Sequence, residues 1–392
     1  MPERHALLSP SKAKQWMECP PSARLTEGIP ETPSPYASEG TKAHAFAAGA
    51  LTEIITKAMV GLPERAFKND TDRQIYEEVK PYIEHQLAAY MEAKVKHADA
   101  VLFVEKELNL NAWIPEGFGT ADSILVAGNT MTVTDLKFGK GVPISAVDNP
   151  QTRCYALGAY RVLSVLYDID TIIIRIDQPR LDSLTEETLS SKELNDWGLN
   201  VLMPAARKAW KGDGEEKVGP WCQFCKLLPK CAAHGHNTNE VMAIQKTAGD
   251  TGVTLSPEAI HTILTKGDDV IRFIKAVQQQ ALNELLAGHP VPGFKVVEGR
   301  SVRQYSDEIL VAEKLKAAGY DEAVIYNRSL ISITDMEKLV GKKKFNELLG
   351  SLIEKPKGRP TMAKDSDRRP EFKPNAADDF IDIDVENVKE EK

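Results

Sequence analysis

Two aspartates and a lysine stand out as residues able to do chemistry: Asp122, Asp135 and Lys137, all within GTADSILVAGNTMTVTDLK, residues 119–137. Gly128-Asn129 separates two segments of alternating character, the mark of a two-residue β-hairpin turn. Such a turn fixes the register. Ala127 then faces Thr130, Val126 faces Met131, Ile124 faces Val133, Asp122 faces Asp135 and Thr120 faces Lys137. Directly opposed side chains have Cβ atoms about 4.5–5.5 Å apart. Two carboxylates that close repel each other, and a divalent cation between them removes the conflict. Oxygen ligands favour Mg²⁺ or Mn²⁺. Lys137 follows Asp135 by two residues and projects from the same face. There it can orient an attacking water and stabilise charge developing on a phosphoryl group. The opposing reading makes both aspartates solvent-exposed strand ends with Lys137 as their ion-pair partner. A one-residue bulge would also break the register.

The second constellation is cysteine. Cys222, Cys225 and Cys231 form C-x2-C-x5-C, while Cys19 and Cys154 stand apart. Scattered thiols in a reducing compartment would not cluster this way, so a metal or cluster site is the better expectation. Cys19, in QWMECPPSARL, is the candidate fourth ligand. A zinc ribbon draws on two nearby pairs. One distant cysteine plus a compact triplet fits a [4Fe-4S] cluster better, with zinc as the alternative. Such a site would close a loop of roughly 200 residues. Cys154 reads as a packed helix residue.

These residues need elements to hold them. Ser9-Pro10 opens a short helical stretch towards Cys19, which Pro20-Pro21 ends. Helices are expected over about 38–57, carrying His44, and over 70–96. Strands are expected over 101–108 and the two arms of the hairpin. Asn149-Pro150 starts a helix leading through QTRCY. Residues 171–178 read as a buried strand, and a helix follows over 191–211. The expected class is α/β, a mixed sheet flanked by helices, with a mainly helical C-terminal region. With 392 residues, two domains are comfortable. We place them at 1–237 and 238–355, with an acidic, poorly ordered tail at 356–392. Residues 256–287 read as helix, 292–306 as a strand pair, and 307–353 as largely helical.

Hydrophobic content of 42% and charged content of 27% are ordinary for a soluble globular chain. No apolar run approaches the roughly 20 residues that span a bilayer. Met1 to Ser11 lacks a signal-peptide core, so the expected location is the cytoplasm, with no membrane partner. The net charge of −8 argues against a protein that coats DNA. Residues 371–392 supply −5 of it, from eight acids and three lysines.

The spacing of GTAD and DLK resembles the core of the PD-(D/E)XK nuclease superfamily, in its RecB-like branch. That branch adds a histidine on an upstream helix and Q-x3-Y after the lysine. EGTKAH supplies His44, and QTRCY supplies Gln151 and Tyr155 on one helix face. The resemblance implies a restriction-endonuclease-like core. It makes His44, Asp122 and Asp135 the metal ligands and Lys137 the catalytic lysine. Gln151 and Tyr155 then contact DNA or support the site. Asp135 stands where many members have Glu, and the pattern allows both. Glu105, on the preceding strand, ranks below these as a further candidate. One cysteine before the core and three after it resemble the iron–sulfur nucleases of this branch, the AddB-type and CRISPR-associated adaptation nucleases. This makes Cys19, Cys222, Cys225 and Cys231 the ligands of a structural [4Fe-4S] cluster. The signatures CPPSARL, SEGTKAH and DLKFGKGVP also resemble a family encoded by phages and prophages.

The implied function is a Mg²⁺- or Mn²⁺-dependent deoxyribonuclease acting on DNA ends or single strands in phage replication or recombination, in the host cytoplasm. An exonuclease is favoured. The sequence contains no G-x4-GK[ST], so unwinding would need a partner such as a helicase, or a single-strand-binding protein. The alternatives are a structure-specific endonuclease and a non-catalytic DNA-binding or assembly module that keeps the fold. Lys295, Arg300 and Arg303 might touch phosphates, but a solvated strand face is the simpler reading.

Overall fold

The computed structural model describes residues 6–30, 35–63, 65–67, 69–249, 255–297, 308–319, 336, 340–349 and 352–353. Its centre is a five-stranded mixed sheet in the order β1-β2-β3-β4-β5. The strands are β1 (Val101–Asn109), β2 (Phe118–Ala127), β3 (Thr130–Leu136), β4 (Thr171–Gln178) and β5 (Ser183–Ser190). All neighbours pair antiparallel except β3 and β4, which are parallel. A parallel pair needs a crossover, and α5 (Pro150–Leu163) lies within it.

Alternation along the strands builds two cores. Ile124, Val126, Met131, Val133, Ile172 and Ile174 point to one face. The buried side of α5 covers them, together with residues of α1 (Ala13–Glu18), α6 (Ser191–Trp197) and α7 (Met203–Lys211). Leu102 and Leu136 face the other way and pack against α3 (Pro35–Thr56) and α4 (Asp70–Lys96). There the sheet is partly polar, and α4 answers in kind. Ser123 donates to Gln86 at 2.8 Å, and His85 lies 2.8 Å from the buried Asp177.

The hairpin has the predicted register from Ala127↔Thr130 to Ser123↔Thr134, and Gly128 takes the positive φ of 56° that its turn requires. The Asn149-Pro150 start of α5 also forms as expected. Asn149 accepts hydrogen bonds from the N–H groups of Gln151 and Thr152, and Pro150 occupies the first turn. Asn149→Ala is expected to cost about 1 kcal/mol of stability, read from the urea unfolding midpoint.

One expectation is revised and one strand is added. The helix over 191–211 is interrupted by a π-helical turn at Gly198–Leu202. A Cβ on Gly198 would lie 2.9 Å from Leu157 Cδ1 and Trp113 Nε1, so this close approach requires glycine. Residues 183–190 form the edge strand β5, although exposed Leu184 and inward-facing Glu187 blur its alternation. The first compact unit runs from Met1 to Val297. α8 (Ala232–Gly249) continues straight out of the cysteine segment, and α9 (Pro257–Leu286) folds back on α8 and on the turn at Leu228–Lys230. Ser256 caps α9 with its side chain.

The second unit, Glu298–Lys392, contains helices at Glu308–Ala317 and Lys342–Leu349 among its described residues. The strand pair expected over 292–306 falls largely outside the described residues, and 292–297 carries no strand. The acidic tail also lies outside them. Among the described residues no helix is long and apolar enough to cross a membrane.

Candidate metal centre and cysteine site

Side chains from α3, β1, β2, β3 and α5 converge where the hairpin ladder stops. Beyond Ser123↔Thr134 the next pairing would set Asp122 against Asp135. Instead, Asp122 Oδ2 accepts the N–H of Leu136 at 2.7 Å. A carboxylate has replaced a carbonyl as the strand's acceptor, and the two like charges are not forced face to face. The other oxygen, Oδ1, lies 3.0 Å from His44 Nδ1 on α3.

Glu105 completes this group. Ligand atoms of His44, Glu105 and Asp122 all lie within 4.8 Å of one another. In β1 the pairs Val104↔Ser123 and Lys106↔Ala121 flank Glu105, whose φ is +47°. A left-handed conformation inside a strand is strained for any residue but glycine, at a cost of about 1–3 kcal/mol. Here it coincides with delivery of a carboxylate to the acid–histidine group. Glu105 is exposed, and the sequence ranks it below the other candidates.

Asp135 lies beside this group and outside the 4.8 Å triad. It is buried, at 3% exposure. Its Oδ1 accepts from Gln151 Nε2 at 3.1 Å, and Lys137 Nζ sits 2.9 Å from Oδ2. Lys137 donates to Gln151 Oε1 at 2.9 Å, so Gln151 bridges both residues of the D-x-K motif. Gln151 Nε2 also reaches the Tyr155 hydroxyl at 3.4 Å. The tyrosine ring rests on the backbone of Gly119, where an added Cβ would meet it at 2.8 Å. The glycine of GTAD thus makes room for the tyrosine of QTRCY.

The electrostatics follow from burial and crowding. Burial raises the Asp135 carboxyl above its ordinary range; Lys137 opposes this and the Asp122 charge adds to it. Burial pulls His44 down, but the hydrogen bond and charge of Asp122, with the charges of Asp135 and Glu105, push it up on balance. Asp135 Oδ2 is buried and paired with the Lys137 ammonium. Crowded carboxylates and an imidazole fit a divalent cation such as Mg²⁺ or Mn²⁺.

α5 is also clamped to β5. Arg153 donates from Nε to Glu187 at 2.8 Å, and the Asp148 N–H donates to the same carboxylate at 3.0 Å. Burial works to raise Glu187, yet these hydrogen bonds and the Arg153 charge hold it below its ordinary 4.5. A depressed carboxylate contributes stability that is present above the unfolded pKa and lost as pH falls through the folded one. Glu187→Gln is therefore expected to be less stable than wild type at neutral pH. The gap should narrow as pH drops below 4.5, read from urea midpoints across pH.

The cysteines stand apart from this group. Cys19, Cys222, Cys225 and Cys231 line one cavity, and none is in a disulfide. Cys19 ends α1, and the other three sit at successive tight turns, with Cys225 N–H donating to the Cys222 carbonyl at 3.0 Å. Burial pushes the Cys222 thiol up to about 11, and the charges of the other three cysteines add to the rise. Cys154, on α5, is buried in the core as expected. Sequence reasoning passed over Ser22 and His234, which line the same cavity. Each follows a cysteine by three residues, the only signal available to find them. A groove lined by Lys12, Lys14, Asn149, Gln151, Trp221 and Phe224 lies between the two sites, with Phe224 largely exposed.

The fold and its side chains define an α/β protein with an acid–histidine–lysine cluster at the sheet and a four-cysteine cavity beside it. The chain belongs to the family described as "Protein of unknown function (DUF2800)", which matches residues 5–370. The solved structure titled "Crystal structure of SSO0001" is similar at 13% identity, over 56% of this chain and 96% of that one, with a TM-score of 0.23. A superposition of that extent assigns neither fold nor chemistry.

Proposed function

We propose that this protein is a Mg²⁺- or Mn²⁺-dependent DNA nuclease with a PD-(D/E)XK, RecB-like core, acting as an exonuclease. The observation that carries the reading is the convergence of His44, Glu105, Asp122, Asp135, Lys137 and Gln151 from five separate elements. His44, Glu105 and Asp122 would hold the cation, with Asp135 as the adjoining carboxylate. This shifts the ligand set expected from sequence towards Glu105. When bound, the ion polarises the phosphodiester and lowers the pKa of its water.

The protein's own residues do the rest. Gln151 fixes Lys137 and Asp135 in one plane of hydrogen bonds. Asp135 orients the attacking water and draws on its proton. Lys137 faces the phosphoryl oxygens as negative charge builds on them. Water oxygen bonds to phosphorus, the P–O bond to the leaving strand breaks, and the departing oxygen gains a proton. The groove supplies lysines for phosphates and the exposed ring of Phe224 for stacking, a combination suited to single strands.

The four cysteines lining one cavity support a [4Fe-4S] cluster that ties α1 to the segment after the sheet. Its role here is structural, because hydrolysis needs no electron transfer. The test uses anaerobically purified full chain with Mn²⁺ and linear DNA. Degradation should start at ends, stop on chelation and spare circular single strands. No degradation under these conditions refutes the nuclease reading, and cleavage of circles would make it an endonuclease.

A further inference from the structure

The cysteine cavity holds more than sulfur. Ser22 and His234 also line it, and Ser22 Oγ and both ring nitrogens of His234 are buried with no hydrogen-bond partner. Ser22 is 3% exposed and His234 1%. Native proteins rarely leave such groups unpaired, since each orphan costs about 1–3 kcal/mol. Here three polar atoms are stranded around one small space. The other contact of His234 is apolar: its ring stacks on Phe273 of α9, with centroids 5.8 Å apart and planes 13° from parallel. That stack fixes the ring plane and offers the nitrogens nothing.

The backbone makes both placements specific. Ser22 lies on α2 (Pro21–Leu25), and its N–H donates to the Cys19 carbonyl at 2.9 Å. His234 lies in the first turn of α8, immediately after Cys231. Each residue is therefore anchored to a cysteine of the site.

We propose that Ser22 and His234 are outer-shell hydrogen-bond donors to the group the four cysteines hold. The inference rests on the cluster reading above. Four cysteines already supply one thiolate per iron of a [4Fe-4S] cluster, so neither residue is needed as a ligand. Their role would be to donate the Ser22 O–H and one His234 N–H to sulfur instead. Donors at sulfur withdraw negative charge from the cluster, which raises its reduction potential and slows its loss. The stack on Phe273 makes α9 the element that aims the imidazole. This gives α8 and α9 a function: they complete the cysteine site.

The test compares wild type with Ser22→Ala, His234→Phe and His234→Gln, all as full-length, anaerobically purified protein. His234→Phe keeps a flat ring against Phe273 and removes both nitrogens, while His234→Gln restores an N–H donor. Iron and acid-labile sulfide are counted, the midpoint potential is followed by EPR, and cluster loss to a chelator is timed from the visible absorption. Expected results are lower potentials in Ser22→Ala and His234→Phe, with cluster loss on the order of tenfold faster for His234→Phe. His234→Gln should recover most of both. Wild-type potential and loss rate in Ser22→Ala and His234→Phe would overturn the donor role and leave the cluster standing. Nitrogen coupling showing His234 bound directly to iron would overturn it too. A wild type that carries zinc, or no iron, sinks both readings together. If His234→Phe does not fold, Ser22→Ala decides: an unchanged potential refutes the proposal.

Discussion

Lys137→Ala should slow DNA degradation by about 10²–10³-fold, the usual cost of removing one donor aimed at developing negative charge. Its ammonium is held between Asp135 and Gln151, both at 2.9 Å, so it is fixed before any substrate arrives. It is outside the His44–Glu105–Asp122 group, and Mn²⁺ binding followed by calorimetry should change little. Asp122→Ala makes the informative contrast. That carboxylate serves His44 and the Leu136 N–H and, in the proposed reading, the cation as well. Its loss should weaken Mn²⁺ binding on the order of 10–100-fold and abolish degradation with it. Glu105→Gln should also weaken Mn²⁺, which would separate the ligand set drawn from the structure from the one expected from sequence. A Lys137→Ala enzyme that degrades DNA at the wild-type rate would remove this lysine from the chemistry.

Cys19→Ala should cause the largest loss of stability of any single change. Cys19 is separated from the other three cysteines by roughly 200 residues, and closing a loop of that length restricts the unfolded chain by about 5 kcal/mol. Whole domains are stable by only about 5–15 kcal/mol, so this is a large share. The chain-entropy value is an upper bound for a cluster, whose bonds need not survive unfolding. Cys225→Ala should lose the cluster equally well. Cys154→Ala is the control: Cys154 is a buried residue of α5 that does not line the cavity, and the variant should keep its iron while paying only a modest cavity cost. Urea midpoints and iron content on the same samples read both effects. Full iron content in Cys19→Ala would exclude it as the fourth ligand.

Much of the framework was legible in local sequence. Gly128-Asn129 set the hairpin register, Asn149-Pro150 set the start of α5, and the apolar run at 171–178 marked β4. Each signal depends on neighbours a few residues apart: a turn conformation, a cap, an unbroken apolar segment. β5 escaped because an edge strand need bury little, and Glu187 faces inward only because Arg153 meets it. The expected boundary near residue 237 followed a change to small polar residues. The return of α9 onto α8 is a contact between segments that composition does not encode.

The sequence by itself determined which residues could do chemistry and on which strand face or helix face most of them stand. Asp135 and Lys137 share a face because strand side chains alternate, and Gln151 and Tyr155 because four residues make about one helical turn. Only the tertiary structure decided what those faces meet. It bent Glu105 through a positive φ towards His44, gave Asp122 the Leu136 N–H in place of a paired carboxylate, and set Ser22 and His234 around four sulfurs. Local periodicity fixes direction along an element. Partnership across elements is set by which surfaces the two cores bring into contact, and by where burial leaves a polar atom without water.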